Sequence, residues 1–176
     1  YHAPRRALPP PLLFVGGDLK RKGGLVLLEV FRALRHLGLE LHLVTKDRLP
    51  PEPGIFVYNN LEANSQPLKD LYHTCDIFAL PTLGDCLPMV LSEAGASGMA
   101  IISTNVAAIP EFVRNGETGL TVPAGDAAAL TQAFRDLATN PAFRMLLGER
   151  AMAHASRHYD APTNANRLLG LLKAEA

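Results

Sequence analysis

Two acids stand eight positions apart in the stretch PTLGDCLPMVLSEAGASGMAIIST, residues 81–104: Asp85 in a Pro/Gly-flanked turn, and Glu93 in a run, 86–104, that carries no other charge. A carboxylate set among Leu, Met, Val, Ala and Gly costs several kcal/mol if it is desolvated without partners. Each carboxylate can accept two hydrogen bonds and so suits the vicinal hydroxyls of a sugar. Asp85 equally fits the ordinary work of a turn-forming or helix-capping aspartate. A wholly helical path between the two would separate them by roughly 12 Å, at ~1.5 Å per residue, enough to put one at each end of a ligand.

A second stretch, FVGGDLKRKGG at 14–24, joins a strand end to a helix start through two glycine pairs and the cluster Lys20, Arg21 and Lys22. Free amides, the positive end of a helix dipole and three cations make it a candidate anion site, with a solvated basic turn as the plain alternative. It is neither a G-x-G-x-x-G fingerprint nor a GK[ST] loop. His154 and His158 are spaced as in zinc-binding helices, but without the glutamate beside the first; they read as a solvent-facing pair, and no metal is assigned. His42, Arg32 and Arg35 read as surface or sheet-face residues.

The elements that position these residues follow from apolar patterning. Short apolar runs alternate with amphipathic stretches, which predicts strands at 12–16, 39–45, 55–58, 76–80, 100–103 and 119–122, joined into a parallel sheet. Helices are predicted over 23–38, 67–73, 88–97, 127–139, 141–158 and 163–174, with Pro88 at the first helical position of its helix. The segment KDRLPPEPG, with three prolines, predicts a loop in place of one crossover helix. The fold class expected is α/β, a Rossmann-like parallel sheet flanked by helices with a helical C-terminus. Residues 1–11 read as a linker, 12–160 as the Rossmann-like domain and 161–176 as a C-terminal helix.

With 176 residues, 48% of them hydrophobic, the chain can bury a real core, and 17 basic residues against 17 acidic leave no basic surplus for nucleic acid. Apolar runs are too short to span a membrane, and Cys75 and Cys86 read as ordinary thiols of a cytoplasmic protein.

Cations for a phosphate, carboxylates for hydroxyls and a glycine-lined cleft point to a nucleotide-linked sugar. FVGGDLKRKGG, LYHTCDIFALPTLGDCLPMVLSEAGASG and AAIPEFVRNGETGLTVPAGDAAAL, in this order, resemble the successive signatures of the C-terminal domain of family 4 retaining glycosyltransferases of the GT-B fold. The resemblance runs from about residue 12 to about residue 139. It implies that Lys22 binds the donor diphosphate, that Asp85 lies near hydroxyls of the transferred sugar and that Glu93 holds the nucleotide ribose. Arg21 is expected to replace the family's diphosphate arginine, whose usual place is taken by Gly17 and Asp18. Gly16, Gly17, Asn60, Leu61, Cys86, Leu87, Pro88, Met89 and Val90 are expected to line the donor pocket. Two further departures are Asp85, where the family usually has Glu, and Ala107-Ala108, where glycine is common.

The function implied is donor binding within a retaining enzyme that moves a sugar from a nucleoside diphosphate sugar to a glycan or lipid-linked glycan. No cofactor is expected, and with no D-x-D pair in the sequence the cations stand in for a metal. The expected partners are the nucleotide sugar and an N-terminal acceptor-binding domain of the same enzyme, through which a peripheral membrane contact is left open. Two alternatives stay open as well: a non-catalytic nucleotide-diphosphate binding module, and a GT-B sugar-nucleotide epimerase relative.

Overall fold

The computed structural model describes residues 9–174. Residues 1–8 of the expected linker and the last two of the expected C-terminal helix lie outside the described residues. Six strands form one parallel sheet: β1 (Leu12–Val15), β2 (Leu41–Val44), β3 (Ile55–Tyr58), β4 (Ile77–Leu80), β5 (Ala100–Thr104) and β6 (Leu120–Val122), in the order β3-β2-β1-β4-β5-β6. The central strands are buried on both faces, which is why they read as unbroken apolar runs. The order reverses direction between β1 and β4, so the carboxyl ends of these two strands flank a switch point, where ligands of open α/β sheets bind.

The helices are α1 (Gly24–Ala33), α2 (Gln66–Thr74), α3 (Met89–Ala96), α4 (Ile109–Phe112), α5 (Ala127–Thr139), α6 (Pro141–His158) and α7 (Ala161–Ala174). The predicted helix over 23–38 divides: α1 ends at Ala33, and a 3-10 turn, Arg35–Leu37, runs on to Gly38 in the left-handed region. α3 starts one residue later than expected, with Pro88 as its N-cap. The predicted loop between β2 and β3 has no helix, and Arg32 and Arg35 of the first crossover both reach across to Glu52 in it.

Two far-side contacts hold the frame. Arg144 of α6 is 1% exposed, donates to the Leu137 carbonyl at 2.7 Å and faces the Asp76 carboxylate at 3.4 Å, just before β4. Burial pushes the Arg144 guanidinium below its ordinary range, against the pull of Asp76. Further along α6 the helix lies so close to the turn before β5 that a Cβ on Gly148 would collide with the Gly98 carbonyl.

Candidate functional site

Two loops meet at the switch point. The first leaves β1 at Gly16 and enters α1 through Gly23, whose φ of 75° and contact with the Pro81 carbonyl leave no room for a Cβ. The second leaves β4 at Pro81. They are stitched together through one carbonyl: Arg21 O accepts from the Leu83 amide at 3.0 Å and the Thr82 hydroxyl at 3.2 Å. From β5, the Ser103 and Thr104 hydroxyls donate to Leu80 O and Thr82 O, both at 2.8 Å, and fix the exit of β4.

The three cations of the first loop diverge. Lys20 stays exposed; Arg21 donates to Gly84 O at 3.3 Å and lies 4.0 Å from Asp85 Oδ2; Lys22 turns inward and pairs directly with Asp85. The side chains of Lys22 and Asp85 are 15% and 16% exposed, so the pair is largely shielded and its attraction is stronger than that of a surface pair. The free amides expected in this loop are mostly engaged. Those of Leu19, Arg21, Lys22, Gly23 and Gly24 bond to Asp47 Oδ2, Asp18 Oδ1, Asp18 O, Lys20 O and Leu19 O. One of these acceptors, Asp47, comes from beyond β2, which local reading does not reveal.

Neither α1 nor α3 has a side-chain cap or an acid in its first turn, whereas α5 and α6 are capped by Asp126 and Asn140. The first amides of α1 and α3 therefore leave a positive field at this end of the sheet.

Beside the ion pair a pocket of about 460 Å³ covers the carboxyl ends of β1, β2 and β3 and is walled by α2 and α3. Gly16, Gly17, Leu61, Val90 and Glu93 line it. Lys22 adjoins it: a Cβ on Gly16 would lie 3.0 Å from the Lys22 Cβ. Of the other expected lining residues, Cys86 and Met89 are exposed on the approach to α3, Leu87 is half-buried and Pro88 is buried. Asn60 is exposed outside the lining; its neighbour Asn59 lines the pocket, with its amide donating to Thr45 O at 3.1 Å and Asp47 O at 2.7 Å.

Glu93 is exposed, not buried in apolar surroundings. In α3 the buried residues are Leu91, Ala94 and Gly95, and Glu93 falls off that face. Its Oε2 accepts from the Tyr72 hydroxyl at 2.7 Å, and Tyr72 is 5% exposed. Burial first, then the Glu93 charge, drive the Tyr72 phenol far above its ordinary range, so it stays a donor at every working pH. Sequence reading does not single out Tyr72, which lies with Leu68 and Leu71 on the buried face of α2. The available signal was the hydroxyl, which needs a partner when buried.

His154 and His158 do not form the expected solvent-facing pair. His154 is only 9% exposed, packs against Phe112 and Tyr159, and sits 3.2 Å from the Glu111 carbonyl through Nε2; only His158 faces solvent. His42 is half-buried, stacked on Phe56 and 2.9 Å from the Tyr58 hydroxyl. Among the described residues no group of three or more His, Cys, Asp and Glu is placed to hold a metal, and no helix is long and apolar enough to cross a membrane.

Residues 9–140 match the family described as glycosyl transferases group 1. A D-inositol 3-phosphate glycosyltransferase of Corynebacterium glutamicum (strain R) is 32% identical over 132 residues, which cover 74% of this chain and 29% of the relative. The chain spans less than a third of the length of the curated relatives it matches. Among solved structures, sucrose-phosphate synthase from Thermosynechococcus elongatus superposes with a TM-score of 0.79 at 22% identity, over 96% of this chain and 46% of that one. Anabaena HepE in complex with UDP-glucose gives 0.80 at 16% identity, over 93% and 48%. The sheet and its C-terminal helices thus have the Rossmann-like architecture of one half of a GT-B glycosyltransferase.

Proposed function

The chain belongs to the glycosyl transferases group 1 family, and from that premise we propose that it is the donor-binding half of a retaining, cytoplasmic enzyme that transfers a sugar from a nucleoside diphosphate sugar to a glycan or lipid-linked glycan. The observation that carries this reading is the shielded Lys22–Asp85 pair at the switch point, beside a pocket that contains Glu93. Support for the ligand class comes from a solved neighbour that is a complex with UDP-glucose.

In this reading Lys22, with Arg21 behind it, meets the diphosphate, and the uncapped first turns of α1 and α3 add their field. Asp85 accepts from hydroxyls of the transferred sugar and Glu93 from the ribose diol. Gly16, Gly17, Leu61 and Val90 border the nucleotide, while Cys86, Leu87, Pro88 and Met89 border the sugar and phosphate. In the reaction the bond from the anomeric carbon to the diphosphate oxygen breaks, a bond to the acceptor oxygen forms, and the acceptor's hydroxyl proton passes to the departing diphosphate oxygen. The negative charge that grows on the departing nucleoside diphosphate is stabilised by Lys22 and Arg21, already in place before the reaction and working without a metal. Attack from the face that the diphosphate leaves retains the anomeric configuration.

A second half must supply the acceptor and bring the reacting atoms to ~3–3.5 Å. This chain alone is therefore expected to bind its donor and to transfer sugar at no useful rate.

The test is a thermal-shift panel of nucleoside diphosphates and their sugars against this chain. A ligand that binds the folded state raises the melting temperature by mass action. A rise with at least one base is expected; no shift with any of them at millimolar concentration overturns the proposal.

A further inference from the structure

A second hollow, of about 400 Å³, opens between α6 and the turn that joins α4 to β6, and it shares no lining residue with the donor pocket. One wall is a single face of α6, with Arg150, His154, Arg157 and His158 at helical spacing. The other is the turn, with Arg114, Glu117 and Thr118. Three arginines and two histidines thus face one acid, in a chain whose charges cancel overall. Glu117 lies 3.9 Å from Arg114, and both side chains are more than half exposed.

The helix dipole accounts for Arg157 and His158, which lie in the last turn of α6, but not for Arg114 and Arg150. The turn is preformed. The Thr118 hydroxyl donates to Phe112 O at 2.6 Å and accepts from the Arg114 amide at 2.9 Å, and Gly116 takes a φ of 76°. The cations also converge: after burial itself, the charges of Arg114, His158 and Arg157 all help to hold His154 below the ordinary histidine range. Like charges held together on a rigid frame repel, and an anion bound among them relieves that cost.

We propose that this hollow is a second binding site, for a phosphate group. Arginine forks match the geometry of phosphate oxygens, and the hollow has room for the phosphate and part of the group that bears it. The phosphate can belong to a soluble ester or to a lipid headgroup.

The test titrates the chain with inorganic phosphate at constant ionic strength and follows backbone amide resonances. The amides of Arg114, Thr118 and Arg157 are expected to shift and saturate. In the double variant R114Q/R157Q, whose melting temperature is checked against the parent, the apparent affinity is expected to fall about tenfold or more, as for the loss of a charge-assisted bond. R150Q, a single change at an exposed helix position, is expected to give an intermediate loss. Shifts that sodium chloride reproduces equally, or that the double variant leaves unchanged, overturn the proposal. Sedimentation with phosphatidylcholine vesicles, with and without phosphatidic acid, then separates the sources. Binding that requires phosphatidic acid and is lost in the double variant assigns a headgroup; saturation by phosphate without vesicle binding assigns a soluble ester.

Discussion

The Lys22 ammonium and the Asp85 carboxylate, 63 residues apart in the chain, pair across the switch point between β1 and β4. The cation proposed for the diphosphate is thus paired with the acid proposed for the sugar. A donor must compete with Asp85 for Lys22, and it regains that cost only if its sugar gives Asp85 hydroxyls to accept from. Lys22→Ala is expected to weaken nucleoside diphosphate binding by about 1–3 kcal/mol and the plain nucleoside hardly at all. Asp85→Asn is expected to tighten the nucleoside diphosphate while weakening the sugar-bearing donor. Calorimetry on the three ligands checks both variants, and their effects on the diphosphate should not add, because the two residues are partners.

Glu93→Gln is expected to weaken ribonucleotide binding more than binding of the 2′-deoxy counterpart, since the proposed partner is the ribose diol. Tyr72→Phe removes the hydroxyl that orients Glu93 and is expected to lower stability by about 1 kcal/mol and to blunt the same discrimination. Equal losses for both nucleotides would mean that Glu93 answers only to Tyr72.

Ala107 sits at a φ of 46°, a left-handed conformation that costs an L side chain about 1–2 kcal/mol. The position falls where the resembled family commonly has glycine. Ala107→Gly relieves that strain against a smaller entropic cost in the unfolded chain. A net gain of roughly 0.5–1 kcal/mol is expected, read as a rise in urea midpoint with an unchanged slope.

Arg144→Met leaves Asp76 buried opposite an apolar side chain and is expected to cost about 3–5 kcal/mol, while Arg144→Met with Asp76→Leu recovers much of the loss. Denaturant unfolding of the two variants measures the difference.

His154 and His42 are both held below the ordinary histidine range, in each case chiefly by burial. The unfolded chain takes up these protons near pH ~6.5 while the folded chain resists, so the unfolded state binds more protons and stability falls as pH drops through that value. The melting temperature is expected to decline between about pH 7 and about pH 5, and His154→Gln to flatten part of the slope. A level profile in the parent would show that burial does not perturb either ring.

The strands and the long helices were legible because a buried parallel sheet needs unbroken apolar runs and a surface helix a repeating face. The position of α5 and α6 could be read to the residue, since Asp126 and Asn140 announce their starts. α4 was not legible: its four residues are too few to show a period. The sequence placed Glu93 among apolar neighbours, but a helix sorts neighbours by angle rather than by order, and that puts Glu93 off the buried face of Leu91, Ala94 and Gly95. The amides of Arg21, Lys22, Gly23 and Gly24 turn back on Asp18, Leu19 and Lys20 within their own loop, but the engagement of the Leu19 amide by Asp47 and the burial of His154 against Phe112 depend on contacts far along the chain, and no local pattern carries them.

The contact between Gly148 and Gly98 bears on how this sequence can drift over generations. Any side chain at 148 presses on the turn that starts β5, and β5 carries the two hydroxyls that fix the Leu80 and Thr82 carbonyls at the exit of β4. A position with no reactive group of its own is thereby closed to replacement, whereas exposed Cys86 and Met89, beside the proposed sugar, remain open to it. Donor preference can change by single steps at such exposed positions, but the packing of α6 on the sheet has to be inherited intact.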